Sequence, residues 1–205
     1  MAPEPVTAEF VYRRVRLEIV EGAFTPGMIL KLGGLTDRFG TSATPVRDAM
    51  HRLVGERFVE LLPGGGFRVR PLDPRRLAGL YQWHGQLLQL ALGTPLSQTA
   101  RDQVSALGRL MTQPQDVASM SAALFGLLAA ASRNEELAQA LELTSCALAR
   151  ARALEHHLFP SIVDDVSRLI AALETSDIGA TRRVMARYHR DRIRLAPDIH
   201  KMIQK

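Results

Sequence analysis

Ser42, Thr44, Arg47 and His51 lie within one short stretch, Gly40-Thr-Ser-Ala-Thr-Pro-Val-Arg-Asp-Ala-Met-His-Arg-Leu53. Two hydroxyls, a guanidinium and an imidazole are the groups that hydrogen-bond base edges and phosphate oxygens. Thr44, Arg47 and His51 recur at three and four residues, so a helix would show them on one side, while Val46, Ala49, Met50 and Leu53 form the packing stripe opposite. Such a helix suits the DNA major groove, and it equally suits an ordinary amphipathic helix with a polar face. Arg52 and, further on, Arg68 or Arg70 could meet phosphate, although those two strand arginines also read as a solvated face, and Gly64, Gly65 and Gly66 would let a backbone come close to a duplex.

The elements around this stretch hold it in place. Ser42 is placed to cap the helix, and Pro45 falls in its first turn, where no N–H is needed. Upstream, Phe10, Val11, Val15, Ile19 and Val20 keep a helical period from about Thr7 to Glu21, and Gly22 stops it. Pro26-Gly27 turns into a short extended piece, Met28-Ile29-Leu30, and Leu35 and Phe39 anchor a second helix ending at Gly40. Two helices joined by a tight Gly-containing turn make a helix-turn-helix. Phe58–Leu62 and Phe67–Arg70 read as two strands around a Pro63-Gly-Gly-Gly66 tip. A phosphate-cradling loop would lead into a helix carrying Lys-Ser or Lys-Thr, and none follows. The hairpin therefore reads as a wing.

These residues resemble the winged-helix domain of GntR-type bacterial transcription regulators. The likeness rests on Pro26-Gly27, the run from Gly40 to Met50, Arg52-Leu53 and the hairpin tip, and it spans about residues 8 to 71. It implies DNA binding through Ser42, Thr44, Arg47, His51, Arg52, Gly64, Gly65, Gly66 and Arg68. The family usually has an arginine where this chain has Ala43, and charged residues where it has Leu32, Gly33 and Gly34. The operator is accordingly expected to differ from the common family site, or to be bound more weakly.

Composition agrees and excludes alternatives. The 205 residues carry a net charge of +5, and the pI near 10.0 permits a polyanionic partner. The single cysteine, Cys146, leaves no intramolecular disulfide or cysteine zinc cluster, and it reads as core filler. No signal peptide or bilayer-length apolar run is present, so a soluble, cytoplasmic protein without a membrane partner is expected.

Pro71-Leu-Asp-Pro74 marks a boundary. Beyond it, about six helices can be traced: 75–92, 95–111, 115–132, 134–158, 160–175 and 178–195. The expected fold is thus mostly α, a winged helix-turn-helix over 8–71 followed by an antiparallel all-helical bundle over 75–195. After a GntR-type winged helix, this second domain resembles the effector-binding and dimerisation domain of the FadR subgroup, on Leu80-Tyr81, Ala129–Asn134 and Leu169–Leu173 with Ser176-Asp177. Many members of that subgroup hold a divalent metal with one aspartate and three histidines, and the metal helps bind a carboxylate effector.

By spacing, those ligand positions fall on Ser121, Phe125, Val166 and Tyr188, which cannot supply the set, so no metal and no cofactor is expected. Adjacent His156 and His157 point about 100 degrees apart on a helix and cannot share an ion. His84, His189, Asp164 and Asp165 could converge only through the fold. Trp83, Phe125, Val166 and Tyr188 are the candidate walls of an effector pocket, expected to be apolar or closed. The arginines of the last helix, Arg182 to Arg194, read as a solvated face. Together these features describe a homodimeric, ligand-responsive repressor of a pseudo-palindromic operator, not an enzyme, since no motif places a nucleophile-base pair or paired carboxylates. The alternative is a non-specific DNA-binding or protein-interaction module with a closed helical domain.

Overall fold

A computed structural model describes residues 7–93, 95–110 and 113–204. The chain divides into two compact units between Leu72 and Asp73. In the first, α1 (Ala8–Glu21) starts at Thr7, whose hydroxyl accepts from Phe10 N–H, and ends at Gly22 in the left-handed region, φ 85°. β1 (Ile29–Leu30), α2 (Leu32–Phe39), α3 (Ala43–Gly55), β2 (Val59–Leu61) and β3 (Phe67–Val69) follow. Val11 and Val15 of α1 are buried along with Leu35 of α2 and with Val46, Met50 and Leu53 of α3, so three apolar stripes form one small core.

The expected two-stranded wing is a three-stranded antiparallel sheet, order β1-β3-β2, with Glu60 opposite Arg68 and Leu30 opposite Phe67. The short extended piece after Pro26-Gly27 supplies the third strand. Gly27 N–H donates to Val69 O at 2.9 Å, and Val69 N–H donates to Met28 O at 2.8 Å. A two-residue strand leaves too short an alternation to be read from sequence.

The second unit is helical: α4 (Pro74–Ala91), α5 (Gln98–Leu110), α6 (Val117–Ala131), α7 (Glu135–Glu155), α8 (Ile162–Glu174), α9 (Ile178–Arg194) and α10 (Ala196–Ile203). Asp73, Asn134 and Asp177 cap α4, α7 and α9, their side chains each accepting from the backbone N–H three residues on. α6 begins later than expected because Pro114–Asp116 forms a 3-10 turn, closed by Gln113 N–H donating to the Asp116 carboxylate at 3.1 Å. Among the described residues the unit has seven helices rather than six. Pro197 sits in the first turn of α10, where it starts a helix instead of ending one. The expected end of the second helix at Met111 lies outside the described residues. No helix among them is long and apolar enough to cross a membrane.

Candidate nucleic-acid interface

α3 begins at Ser42, whose extended backbone (φ −74°, ψ 169°) fits a capping position but whose hydroxyl makes no capping bond. This corrects the expectation that Ser42 caps the helix. The hydroxyl stays exposed, and the first amides of α3 are left without that acceptor, an end suited to a phosphate oxygen. Thr44 and Arg47 are exposed on the side opposite buried Val46, Ala49, Met50 and Leu53. Neither Thr44 nor Arg47 has a side-chain partner among the described residues. An exposed guanidinium without a counter-ion keeps all five donors for an incoming acceptor.

His51 is also exposed, and its ring meets Phe67 of β3 edge-on at 5.7 Å. That contact sets the outer face of α3 beside the wing. At the wing tip, Gly65 (φ 83°) and Gly66 (φ 81°) take left-handed conformations that other residues resist. Gly64 and Gly65 are exposed, and no atom lies within 4 Å of where a Cβ on either would stand. A duplex could thus approach this backbone closely.

Two other expected contacts are occupied. Arg52 donates to Glu9 at 2.7 Å and to Glu56 at 3.3 Å, and its guanidinium lies 3.6 Å from the centre of the Tyr12 ring. It works as a clip between α1 and α3. Arg68 is held by Glu60, its neighbour across β2 and β3, its Nε donating at 2.6 Å. Thr44, Arg47 and the tip of the wing therefore stand open, while Arg52 and Arg68 would have to exchange a carboxylate for a phosphate.

The helical unit contains what the sequence reading missed. Ser121, Phe125, Val166 and Tyr188 are all buried, and Phe125 and Tyr188 meet edge to face at 5.8 Å. The group around them does not suit a metal. His84 and His189 do converge, Nδ1 to Nε2 at 2.9 Å, but Arg152 places a guanidinium nitrogen 3.0 Å from His84 Nε2. Asp165 pairs instead with Arg168 at 3.3 Å, and among the described residues no three His, Cys, Asp or Glu side chains gather as a metal site. Trp83 stands 48% exposed, outside this buried cluster, and so is no wall of an internal pocket. Cys146 is half-buried rather than core.

The solvated-arginine reading of α9 also fails at one position. Arg192 is fully buried, on the same inward stripe as Met185 and Tyr188, a spacing that could have revealed it. Its Nε donates to Glu155 at 3.0 Å, and its guanidinium stacks 3.5 Å from the centre of the Tyr188 ring. Glu155 also accepts from Tyr81 OH at 2.6 Å and Tyr188 OH at 3.3 Å. Burial, with the Glu155 charge adding to it, raises both phenol pKa values, so the two tyrosines remain donors.

The histidine protons follow from the partners. Burial drives the His84 pKa well below the usual imidazole range, reinforced by Arg152, and lowers that of His189 to about 3 despite its bond to the Met185 carbonyl. Both rings are neutral near pH 7. Because Met185 O only accepts, His189 carries its proton on Nδ1 (2.8 Å) and offers bare Nε2 to His84 Nδ1–H. His84 Nε2 then accepts from Arg152 and from Ser145 OH at 3.0 Å.

Comparison with known proteins agrees with the winged-helix geometry. Residues 7–69 match the model of the bacterial regulatory proteins of the gntR family. The chain is 31% identical over 70 residues to the HTH-type transcriptional repressor GlaR of Escherichia coli strain K12, covering 34% of this chain and 32% of GlaR. The match thus spans about a third of that relative's length. The HTH-type transcriptional regulator YdhC of Bacillus subtilis strain 168 is 22% identical over 203 residues, 92% of this chain and 90% of YdhC. Among solved structures, McbR/YncC of E. coli superposes with a TM-score of 0.72 at 19% identity, over 92% of this chain and 96% of that one, which shows a shared fold. Over residues 7–69 the winged helix-turn-helix is thus similar to that of the bacterial regulatory proteins of the gntR family.

Proposed function

We propose that the protein is a sequence-specific, ligand-responsive repressor that binds a pseudo-palindromic operator as a homodimer in the cytoplasm. The observation that carries this reading is Arg47, exposed and without a partner on the outer face of α3, beside the open amides at Ser42. Arg47 reads a base edge, Thr44 and Ser42 add hydroxyl contacts, and the glycine tip of the wing lies against the backbone. The helical unit, residues 73–204, dimerises and binds the effector. Two-fold symmetry in the protein calls for two half-sites of opposite direction in the DNA.

Gel-shift titration against the DNA upstream of its own gene cluster tests the proposal. Tight, salt-sensitive binding to one defined site is expected, with sedimentation at twice the 22.6 kDa chain mass. Equal affinity for random duplex would overturn sequence-specific regulation and favour a non-specific binding module.

A further inference from the structure

The excess charge of this chain is gathered on one helix. α9 carries six arginines against one acid, Asp191, a net charge of +5, and the whole chain also carries +5, so all other residues together sum to zero. Arg192 is buried against Glu155, and the other five arginines are exposed. Four of these, Arg183, Arg187, Arg190 and Arg194, follow one another at intervals of four, three and four residues. At about 100° per residue they fall within an arc of about 60° on the side of α9 away from Arg192, and at about 1.5 Å per residue they span about 16 Å.

The stripe is poorly answered by acids. Asp191 lies 3.9 Å from Arg187 and 3.2 Å from Arg194, while Arg183 and Arg190 have no ion pair among the described residues. Like charges three and four residues apart repel on a helix, and three such neighbours follow in succession here. A face that met only water would be better served by alternating signs. A row of anions laid along the stripe removes the repulsion, and one strand of a DNA duplex carries a phosphate about every 3.4 Å of axis, about five over 16 Å. A membrane surface is the rival polyanion, but a helix that lies in one keeps apolar side chains beside its basic ones. On α9, Met185 and Tyr188 are buried in the unit, and Ile178, in the first turn, lies on another side of the helix.

We infer that Arg183, Arg187, Arg190 and Arg194 form a second, sequence-independent contact with duplex DNA, made by the helical unit through phosphate oxygens. The choice of a duplex as the polyanion rests on the proposed function. Each guanidinium offers paired donors that match phosphate, and Arg183 and Arg190 have no carboxylate to release first. Phosphate contacts carry no base information, so the stripe strengthens binding to every duplex alike and leaves the choice of site to α3. It also steepens the dependence on salt, by about 0.9 in the logarithmic slope for each phosphate neutralised.

The test compares the full chain with a stripe variant, Arg183→Gln, Arg187→Gln, Arg190→Gln and Arg194→Gln together. A control variant loses four exposed cations elsewhere on the helical unit, through Arg75→Gln, Arg109→Gln, Arg133→Gln and Lys201→Gln. Binding to a random duplex and to the DNA upstream of its own gene cluster is titrated by fluorescence anisotropy between about 50 and 200 mM salt. In the stripe variant the slope of log affinity on log salt should be shallower by about 3 to 4 per chain, and binding at the lower salt roughly tenfold weaker or more, by the same factor on both duplexes. The control should stay near the parent slope. The melting temperature of the stripe variant should hold or rise, since glutamine suits a helix and the repulsion is gone. A slope equal to the parent's, or a loss that the control matches, would overturn the inference. So would loss of binding to phosphatidylglycerol vesicles with duplex binding intact, which would assign the stripe to a membrane. A parent that binds both duplexes alike, with the slope still falling in the stripe variant, would count against sequence-specific regulation alone.

Discussion

At the scale of single residues, the two halves of the protein use arginine in opposite ways. Arg47 is solvated and unpaired, so its removal costs the fold nothing and takes a base contact from the proposed operator complex. Arg47→Ala should weaken operator binding by about 1–3 kcal/mol, roughly 5- to 150-fold in a gel shift, and leave the melting temperature within error. Arg192 is the reverse. Its fully buried guanidinium pairs with Glu155, and Arg192→Met leaves that carboxylate buried without its cation, at about 3–5 kcal/mol in urea unfolding. Nothing in the composition separates these two arginines. Their positions on helical stripes do: Arg47 lies off the apolar stripe of α3, and Arg192 lies on that of α9.

At the scale of elements, glycines report which helices touch. A Cβ at Gly85 of α4 would stand 2.9 Å from His189 Cγ of α9, so α4 and α9 approach closely at this point. At Gly79, on the same helix, a Cβ would meet nothing within 4 Å. Alanine favours a helix interior over glycine by about 1 kcal/mol, and Gly79→Ala should gain most of that. Gly85→Ala should instead destabilise by about 1–3 kcal/mol, because a ring packed on all sides cannot give way. Thermal melts of the two variants check the opposite signs. The same pair shows why the histidine cluster escaped sequence reading: His84 and His189 sit on helices far apart in the chain, and only the α4–α9 packing sets their nitrogens 2.9 Å apart.

At the scale of the whole molecule, the buried histidines tie stability to pH. His189 has a folded pKa of about 3, against an ordinary value of 6.5, so the unfolded chain binds more protons than the folded one between those limits. The stabilisation is complete above pH 6.5 and drains away as the pH falls towards 3. Between pH 7 and pH 5 the loss from His189 alone should be about 2 kcal/mol, with His84 adding to it in the same direction. Urea midpoints at the two pH values measure the loss, and His189→Gln should flatten the dependence.

The local architecture was legible in the order of the residues. Capping residues, stop glycines and three-four spacings gave nine of the ten helices among the described residues to within a few residues, and the Gly40–Leu53 stretch marked Arg47 as exposed. Those features depend on interactions a few residues apart, which a linear reading can follow. Packing between distant parts of the chain set the third strand of the wing, the engagement of Arg52 and Arg68 with acids of their own unit, and the charged interior where an apolar or closed pocket was expected. Each of those depends on which distant side chains meet, and the burial and pairing of a charge are set by that meeting, not by residue type.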